Sequence, residues 1–392
     1  MILHAKELEF MKTAGIVVEY NPMHNGHIHH IKKTRELSGC DTLIAVMSGN
    51  VVQRGEFSIV DKFTKTKWAL EAGIDLVVEL PAFYSLQSAD MFAYTSIQIL
   101  EKLGVDTLVF GSESGSIDTL KMQSELMRTD VYNESLKTYM NEGYSYPSAS
   151  RYALESLTDS MLIKAPNDIL GIQYLNAIHK LKSPMEAIAI KRVESGYHEP
   201  YNEDLSIQSA TALRSRLISG ENVKSYVPSY VNETLKDYGS LQTLSNYDEI
   251  LSYTLNVHSK ETLESIFSFE EGLENLVLKH RDLEGFDKLV NALSSKRYTN
   301  ARIKRALMHM MLDIKKSDPL TFEVPYLRIL GMNATGKSHL NTIKKDLDVP
   351  LITKITRKKH PLLETELKVT RIYGLKIRKN LFEKEFDPVL IY

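Results

Sequence analysis

"GIVVEYNPMHNGH", residues 15 to 27, is the stretch that decides the fold. Its β-branched apolar start predicts a buried strand, and the amphipathic sequence after it predicts a helix that begins near His27. Gly26 lets the backbone approach a ligand closely, and the free N–H groups at a helix start attract negative charge. We therefore expect an anion at this turn, with His24 and His27 placed to hydrogen-bond its oxygens.

Four further apolar runs repeat the strand signal along the chain. They are separated by helix-length amphipathic stretches, and this alternation is typical of an α/β fold with a parallel sheet and helices on both faces. In such folds ligands bind outside the carboxyl ends of the strands, which is where the polar turns of this chain fall. The runs are DTLIAVMSG (41–49), GIDLVVEL (73–80), GVDTLVFGS (104–112) and EAIAIKRV (186–193).

The composition is that of an ordinary globular protein, 392 residues long, with 43% apolar and 25% charged residues. The formal net charge of -2 excludes a uniformly basic nucleic-acid coat. The single cysteine, Cys40, cannot form an internal disulfide, and no apolar run approaches the ~20 residues that span a bilayer, so we expect a cytoplasmic protein without membrane contact. The pattern of strand-like, helix-like and basic segments predicts three parts. They are a leader or a cloning remnant at 1–10, a nucleotide-binding catalytic domain at 11–220, and a mainly helical, basic region at 221–392.

The residues alone leave two other interpretations of the histidine turn open. It could be a solvent-exposed turn with incidental histidines, or His24, His27, His29 and His30 could bind zinc. Zinc is usually held by four tetrahedral ligands, and no acidic residue or cysteine completes such a set nearby. The position after a first strand, with Asn21–Pro22 before it, favours the anion site.

The motif NPMHNGH (21–27) resembles the signature of the HxGH nucleotidyltransferase superfamily, whose members are Rossmann-like. Six motifs in order are similar to the bacterial tRNA(Met) cytidine acetate ligase family, and the likeness runs over nearly the whole chain from Met11. That resemblance implies a two-step, ATP-dependent ligase: ATP and acetate give acetyl-adenylate and pyrophosphate, and the acetyl group passes to N4 of the wobble cytidine of elongator tRNA(Met), forming N4-acetylcytidine. The motifs are GIVVEYNPMHNGH, MSGNVVQRGEFSIVDK, DLVVELPAFYSLQSAD, FGSESG, APNDILGIQYL and SATALRSRL.

The resemblance also implies roles for individual residues. His24 and His27 would be catalytic on the ATP phosphates, and Arg214, in the loop SATALR, would reach the departing pyrophosphate. ATP is the implied substrate, accompanied by Mg²⁺, and no resident metal is implied. The implied ATP-binding residues are Val17, Val18, Glu19, Tyr20, Asn21, Pro22, His24, Asn25, Gly26, His27, His30, Gly111, Asn167, Arg192, Ser209 and Thr211.

Residue chemistry leaves alternatives open for part of this set. Gly111 could be only a turn glycine, and Arg192 could form a surface ion pair. Helix capping alone would explain three polar residues, which are Asn167, Ser209 and Thr211. The loop SGNVVQRGE (48–56) could line an acetate pocket, meet RNA or be a plain polar loop through Ser48, Asn50, Gln53 and Arg54.

A second phosphate motif, GMNATGKS at residues 331 to 338, satisfies the GxxxxGK[ST] pattern of a P-loop. A P-loop NTPase needs several further strands and an aspartate after one of them, and only 54 residues follow Ser338. We therefore expect a loop that enters a helix, with Lys337 contacting RNA phosphate.

The C-terminal region is expected to carry a basic face that the net charge hides. SSKRYTNARIKR (294–305) holds five lysine or arginine residues and no acid, and TKITRKKH (353–360) holds four. Such patches bind phosphate backbones by releasing counterions, and an interleaved tyrosine could stack on an unpaired base of an anticodon loop. A solvated helix face is the alternative for both runs. The expected RNA-binding residues are Lys296, Arg297, Tyr298, Arg302, Arg305 and Lys337.

Two other functions fit parts of the sequence. An adenylyltransferase that joins ATP to a phosphorylated small molecule is the alternative enzyme, although the long basic C-terminal half disfavours it. A non-catalytic RNA-binding protein with a vestigial nucleotide fold is the alternative outside enzymes. Release of pyrophosphate from ATP and acetate discriminates among the three, and the sequence leaves the oligomeric state open.

Overall fold

The computed structural model describes residues 11–158, 165–192, 207–318, 321–356, 360–377 and 380–392. The expected leader at 1–10 and the basic residues 357–359 lie outside the described residues. The strands of the described chain are β1 (Thr13–Val18), β2 (Thr42–Ser48), β3 (Val51–Val52), β4 (Glu56–Phe57), β5 (Leu76–Leu80), β6 (Thr107–Ser112), β7 (Glu186–Lys191), β8 (Leu327–Met332), β9 (Leu351–Ile352) and β10 (Leu390–Ile391).

Helices connect the strands and form most of the C-terminal region. None of the described helices is long and apolar enough to cross a membrane. They are α1 (Asn25–Ser38), α2 (Lys62–Glu71), α3 (Ala82–Ser85), α4 (Ala89–Lys102), α5 (Ile117–Leu126), α6 (Asp130–Asn141), α7 (Tyr146–Leu157), α8 (Pro166–Leu181), α9 (Ala210–Ile218), α10 (Ser229–Asp237), α11 (Asp248–Val257), α12 (Lys260–Ser265), α13 (Leu273–Lys279), α14 (Phe286–Leu293), α15 (Asn300–Met311), α16 (Ala334–Ile343), α17 (Pro361–Gly374) and α18 (Leu381–Lys384), with a 3₁₀ turn at Leu244–Tyr247.

The main sheet confirms the predicted α/β fold. Its strand order is β10-β8-β5-β2-β1-β6-β7, and β1, β2, β5, β6 and β7 are parallel. The chain runs from β1 through β2 to β5 on one side, and then through β6 to β7 on the other. Because crossovers between parallel strands are right-handed, this reversal places helices on both faces. The turn after β1 lies at the reversal point, where ligands of such sheets bind.

The first helix begins close to its predicted position, at Asn25. His24 precedes it in an extended conformation, with φ -143° and ψ 171°, and takes the N-cap position. The helix ends at Gly39, which adopts φ 60° and donates its N–H to the Arg35 carbonyl at 2.9 Å. A left-handed residue at this position favours glycine and stops the helix before β2.

The C-terminal region contributes strands to the same sheet. β8 pairs antiparallel with β5, and both β9 and β10 pair with β8. A buried ion network joins the two parts: Lys62 Nζ lies 2.7 Å from Glu79 Oε1 and 2.9 Å from Glu385 Oε1, and Arg328 Nη1 lies 2.9 Å from Glu79 Oε2. Buried charges are stable only when paired in this way. The sheet therefore continues across the boundary near 220 that the sequence suggested, and residues 221–392 are helical with three strands added.

The motif GMNATGKS does not form a P-loop. Gly331 belongs to β8 and Gly336 to α16, and the helix starts directly after Asn333. The N–H groups that would cradle phosphate are already used, because Asn333 N donates to Asp75 O at 3.0 Å and Gly336 N to Asn333 Oδ1 at 3.0 Å. A β-carbon on Gly336 would lie 2.1 Å from the Asp75 carbonyl oxygen, so this glycine serves close packing of the helix on the sheet.

Candidate active site

One cavity of about 810 Å³ lies at the carboxyl ends of β1, β6 and β7 and is closed by the starts of α1, α8 and α9. Fifteen of the sequence-predicted residues line it together, although they span almost two hundred positions of the chain. These are Val17, Val18, Glu19, Tyr20, Asn21, His24, Gly26, His27, His30, Gly111, Asn167, Arg192, Ser209, Thr211 and Arg214.

The two signature histidines form a stacked pair in this cavity. Their ring centroids are 3.7 Å apart with an interplanar angle of 24°, and Tyr20 packs its ring edge-on at 4.9 Å from His27. The His24 backbone N–H donates to His27 Nδ1 at 3.1 Å. A neutral imidazole that accepts at Nδ1 carries its proton at Nε2, so His27 offers an N–H donor at its other nitrogen.

Burial keeps these imidazoles neutral. It lowers the pKa of His24 to about 3 and that of His30 to about 4, and in both cases the positive charge of Arg192 acts in the same direction. The pKa of His27 is well below its ordinary value because of burial, with His24 and Arg192 adding to the effect. His24 Nδ1 and His30 Nε2 are buried without a hydrogen-bond partner among the described residues. Such unsatisfied groups are costly, and polar ligand atoms in the cavity would satisfy them.

Two glycines bring the backbone close to the space that a ligand would fill. A β-carbon on Gly26 would lie 2.9 Å from His24 Cε1, and one on Gly111 would lie 3.3 Å from Arg192 Cγ. Gly111 is inside β6 at its end and not in a turn after it. The interpretation of Gly111 as a turn glycine is therefore wrong.

The opposite wall is built by the start of α8 and the end of β6. The N-cap of α8 is Ala165, so the interpretation of Asn167 as a helix cap is wrong. Instead, the Asn167 side-chain amide donates to the Glu113 carboxylate, and its oxygen accepts from Arg192 Nη1 at 3.4 Å. These contacts hold one amide and one guanidinium at the cavity, where both can meet a nucleotide.

Arg214 projects from α9 toward the end of the first strand. Its Nη1 donates to Asn21 O at 2.8 Å, its Nη2 donates to Thr211 Oγ1 at 3.2 Å, and Glu56 Oε2 lies 3.9 Å away. Ser209 accepts from Ala212 N at 3.2 Å, so the expected capping role of Ser209 is confirmed. The free N–H end of α9 and Arg214 together bring positive charge to the cavity.

Two predicted ATP-binding residues, Pro22 and Asn25, do not line the cavity. Asn25 is buried, and it donates from its backbone N–H to Tyr226 O at 2.9 Å and from its side chain to Ser225 O at 3.0 Å. Pro22 follows a cis peptide bond at the turn. Asn25 is thus bonded to the 225–226 turn, and the contact of Pro22 and Asn25 with ATP stays a prediction.

The polar loop after β2 divides into two parts. Ser48 and Asn50 are buried, and Asn50 accepts from Lys62 N at 2.8 Å and donates to Thr370 Oγ1 at 2.9 Å, so both residues lie in the protein interior. Gln53 and Arg54 line the cavity. Of the four residues, only Gln53 and Arg54 therefore remain candidates for lining an acetate pocket.

Sequence reasoning missed a buried lysine that shapes the site. Lys65 Nζ donates to three carbonyls at the ends of β1 and β2, namely Glu19 O at 2.9 Å, Ser48 O at 2.8 Å and Gly49 O at 2.7 Å. Burial lowers the pKa of Lys65 to about 7, and Glu19 opposes this shift. The Glu19 carboxylate in turn accepts from Gln53 N at 2.8 Å. No local pattern signals this role, because the partners are backbone atoms of distant strands.

Metal ligands are not clustered in the described part of the chain. There, no group of three or more His, Cys, Asp or Glu side chains is arranged to hold a metal ion.

The basic segment 294–305 is partly neutralised by an acid that lies far away in the sequence. Glu271 Oε2 lies 3.3 Å from Arg297 Nε and 3.1 Å from Arg302 Nη2. Tyr298 is only 7% exposed, and its hydroxyl donates to Glu271 O at 2.7 Å. The expectation that Tyr298 stacks on an RNA base is therefore wrong, because its ring packs inside the protein.

The other expected RNA contacts separate in space. Arg305 Nη1 donates to Gln53 O at 3.3 Å, so this residue lies against a loop that lines the cavity, and Lys296 lies 3.2 Å from the Tyr144 ring centroid. Lys337 is exposed on α16, near the amino end of β5, where Leu76 pairs with Met332. Lys337 therefore lies at the edge of the sheet opposite the cavity and does not join the cluster.

Similar proteins identify the family to which this site belongs. The model of the family described as HIGH Nucleotidyl Transferase matches residues 11–387. The tRNA(Met) cytidine acetate ligase of Caldicellulosiruptor saccharolyticus is 39% identical over 97% of this chain and 99% of that protein. The chain belongs to the tRNA(Met) cytidine acetate ligase family. The Bacillus subtilis protein of the same name is 38% identical over 96% of this chain and 95% of its own length.

Solved structures of this family share the fold. TmcAL of Thermotoga maritima matches in its apo form with a TM-score of 0.86 and in a form bound with alpha-thio ATP with a TM-score of 0.84. Both are 29% identical to this chain and are covered completely, over 97% of this chain. The family resemblance and the nucleotidyltransferase-like α/β fold that the sequence predicted are thus confirmed.

Proposed function

We propose that this protein is an ATP-dependent tRNA(Met) cytidine acetate ligase. It activates acetate as acetyl-adenylate and transfers the acetyl group to N4 of the wobble cytidine of elongator tRNA(Met). One observation carries the proposal: His24, His27 and Arg214 converge on one cavity in a chain that is 39% identical to a tRNA(Met) cytidine acetate ligase. Both ATP and tRNA are found in the cytoplasm, where we place the activity.

The first step is an attack by an acetate oxygen on the α-phosphorus of ATP. An O–P bond forms, the bond between the α-phosphorus and the bridging oxygen breaks, and pyrophosphate leaves. Negative charge grows on the phosphate oxygens during this step; the neutral His27 supplies a fixed hydrogen-bond donor at Nε2, and the Arg214 guanidinium supplies a positive charge. Neutral histidines suit this task. A charged imidazolium would hold a counter-ion that ATP must displace, whereas a neutral imidazole can donate its hydrogen bond to phosphate directly.

The second step is an attack by the N4 amine of cytidine on the acetyl carbonyl carbon. A C–N bond forms, the C–O bond to AMP breaks, and the amine proton passes to solvent or to a base. The Gln53–Arg54 side of the cavity is the place for acetate and the incoming amine, because the phosphate-facing side is occupied by the histidines and α9. Mg²⁺ would travel with the ATP phosphates, and hard oxygen ligands of this kind are the ones that it prefers.

The tRNA is expected to approach the C-terminal region at Lys296, Arg297, Arg302 and Arg305, with the anticodon loop toward the cavity. We keep the division into a catalytic part at 11–220 and a tRNA-binding part at 221–392 as a functional proposal. It is supported by α15, which carries Arg302 and Arg305 and packs on the 53–57 loop.

Incubation of the protein with labelled acetate, ATP and elongator tRNA(Met) tests this function. Nuclease digestion and mass spectrometry should show N4-acetylcytidine at the wobble position only when all three are present. A tRNA in which uridine replaces that cytidine is the matched control, because it lacks the amine. Pyrophosphate release that requires a phosphorylated small molecule in place of acetate would favour the alternative adenylyltransferase.

A further inference from the structure

A second cavity, of about 720 Å³, opens beside the ATP cavity and shares Gln53, Arg54 and Ala89 with it. It lies between α7, the starts of α4 and α8, and two C-terminal stretches, 267–270 and 297–305. Ser145 N, at the start of α7, donates to Lys296 O at 3.1 Å and joins the two sides. We call this cavity the arginine pocket, because its lining includes Arg54, Arg151, Arg297, Arg302 and Arg305.

The charge of the arginine pocket is strongly one-sided. Its five arginines face two acidic lining residues, Asp90 and Glu270, and Glu271 pairs with Arg297 and Arg302, which leaves an excess of two positive charges. Arg54 is exposed and makes no hydrogen bond or ion pair with another described residue. Arg305 uses one of its five N–H donors among the described residues, toward Gln53 O. Clustered guanidinium groups with free donors match phosphate oxygens, which they can bind through two parallel hydrogen bonds.

Burial supports the same conclusion for Arg305. It lowers the pKa of Arg305 to about 10, with Arg302 adding to the shift and Asp90 opposing it. A guanidinium that is both largely buried and surrounded by like charge gains most from an incoming anion.

The pocket also offers aromatic surface. Tyr146, at the start of α7, is 45% exposed, and Phe267 lines the opposite side. Arg151 lies one turn further along α7, with its guanidinium carbon 4.6 Å from the Tyr152 ring centroid. Bases of single-stranded RNA stack on such rings and on arginine planes, whereas a paired duplex cannot reach them.

We infer that the arginine pocket holds the nucleotide that carries the acceptor amine, with its flanking phosphates on the arginines and its base passing Gln53 and Arg54 into the ATP cavity. This inference rests on the proposed function. Enzymes that modify a base take it out of its stack and hold it in a separate pocket. The shared wall gives the path for such a base from one cavity to the other.

The chemistry of cytosine fits the shared wall. Its N4 amine is the nucleophile and must point toward the acetyl-adenylate, so it is not free for tight recognition by an acceptor. Its remaining polar edge, N3 and O2, accepts hydrogen bonds and needs donors. The Arg54 guanidinium is a donor without an acceptor function, and it stands between the two cavities.

Substitutions on α7 test this inference without touching the ATP cavity. Arg151→Glu and Tyr146→Ala change residues that line only the arginine pocket. Lys137→Glu, on the adjacent helix α6, is the matched control, because Lys137 is exposed and lines neither cavity. Each variant is measured for acetate-dependent ATP–pyrophosphate exchange, for tRNA(Met) affinity over a salt series, and for acetyl transfer.

We expect Arg151→Glu to weaken tRNA binding roughly tenfold and to reduce its salt slope by about one. Tyr146→Ala should lower acetyl transfer more than affinity, because it removes stacking on the base. Both should keep wild-type ATP–pyrophosphate exchange, which also shows that they fold, and Lys137→Glu should match wild type within about twofold.

The inference is overturned if Arg151→Glu and Tyr146→Ala match Lys137→Glu in affinity and acetyl transfer. It is also overturned if the substitutions change only inhibition by inorganic phosphate, since the pocket would then be a small-anion site. Failure of the proposed function looks different: the wild-type protein itself would form no N4-acetylcytidine, whichever variant is tested.

Discussion

The two cavities of this molecule hold their polar groups in different ways. In the ATP cavity, His24 is buried and His27 half-buried, both rings are neutral and stacked on each other, and the His27 ring accepts a backbone hydrogen bond at the start of α1. In the arginine pocket, the charged groups stand on helices and loops, and two of them share the single partner Glu271. Bond formation at phosphorus needs fixed geometry, whereas holding a polyanion needs mainly charge. The contrast predicts that substitutions in the ATP cavity cause larger losses of activity than substitutions in the arginine pocket. It also predicts that the losses from the ATP cavity are specific to adenylation.

Removal of the histidine pair should have the largest effect. His24→Ala and His27→Ala should each lower acetyl-adenylate formation about 10² to 10³-fold, or roughly 2.7 to 4 kcal/mol, because each removes a group aimed at developing charge. Acetate-dependent ATP–pyrophosphate exchange measures this directly. His280→Ala, outside both cavities, is the control, and near-normal exchange in the double variant would remove the basis of the assignment.

Arg214→Ala should come next, with a loss of about 10²-fold in the pyrophosphate-releasing step. Arg216→Ala is a matched control on the same helix, because Arg216 pairs with Glu221 at 3.2 Å and does not line the cavity. Lys337→Ala should leave ATP affinity unchanged. Loss of ATP binding in the Lys337 variant would reinstate the P-loop interpretation.

Acid should destabilise the fold through the buried histidines. The ordinary histidine pKa is 6.5, and burial lowers it to about 3 in His24, so the unfolded chain binds a proton that the folded chain does not. Stability is therefore full above pH 6.5 and falls as the pH drops from 6.5 toward 3, by about 2 kcal/mol at pH 5 for this one group.

Urea unfolding of wild type and His24→Asn at pH 7 and pH 5 measures the effect. The variant should lose less stability between the two pH values, because it lacks one group that must be protonated on unfolding. An identical pH dependence in both proteins would contradict the neutral state assigned to His24.

Charge reversal in the basic segment 294–305 should have the smallest of these effects, and it should be limited to tRNA affinity. Arg297→Glu with Arg302→Glu should weaken tRNA affinity roughly tenfold and leave adenylation intact. Lys288→Glu, on the exposed side of α14, is the control. Arg305 is left out of this pair because it contacts the Gln53 carbonyl, and its reversal should also disturb the ATP cavity. Equal loss of both activities in the Arg297 and Arg302 variant would break the division of labour.

The sequence predicted well which residues line one cavity, because these residues follow strand ends. Once β1, β6 and β7 are parallel neighbours, His27, Gly111 and Arg192 must lie at one edge, whatever their distance in the chain. The contacts of Asn25 could not be predicted in this way, because its partners, residues 225 and 226, lie in a loop whose position no local sequence pattern indicates.

The basic segment 294–305 was predicted less well, because a run of charged residues does not indicate where each side chain points or which acid it pairs with. The acid Glu271 that neutralises two arginines lies outside the segment, and Tyr298 turns inward to pack on it. The sequence also missed the last strands, because β9 and β10 are two residues long and are too short to show an alternation of apolar and polar residues. Lys65 shows the same limit, since its acceptors are main-chain oxygens.

Acetate-dependent exchange of labelled pyrophosphate into ATP, measured on the wild-type protein without tRNA, tests the central claim most directly. The ATP cavity is built from residues 17–214 and needs no RNA to be complete. We predict that exchange occurs with acetate, is absent without it, and disappears when His24 and His27 are replaced together. Exchange that requires tRNA, or that survives the loss of both histidines, would contradict this account.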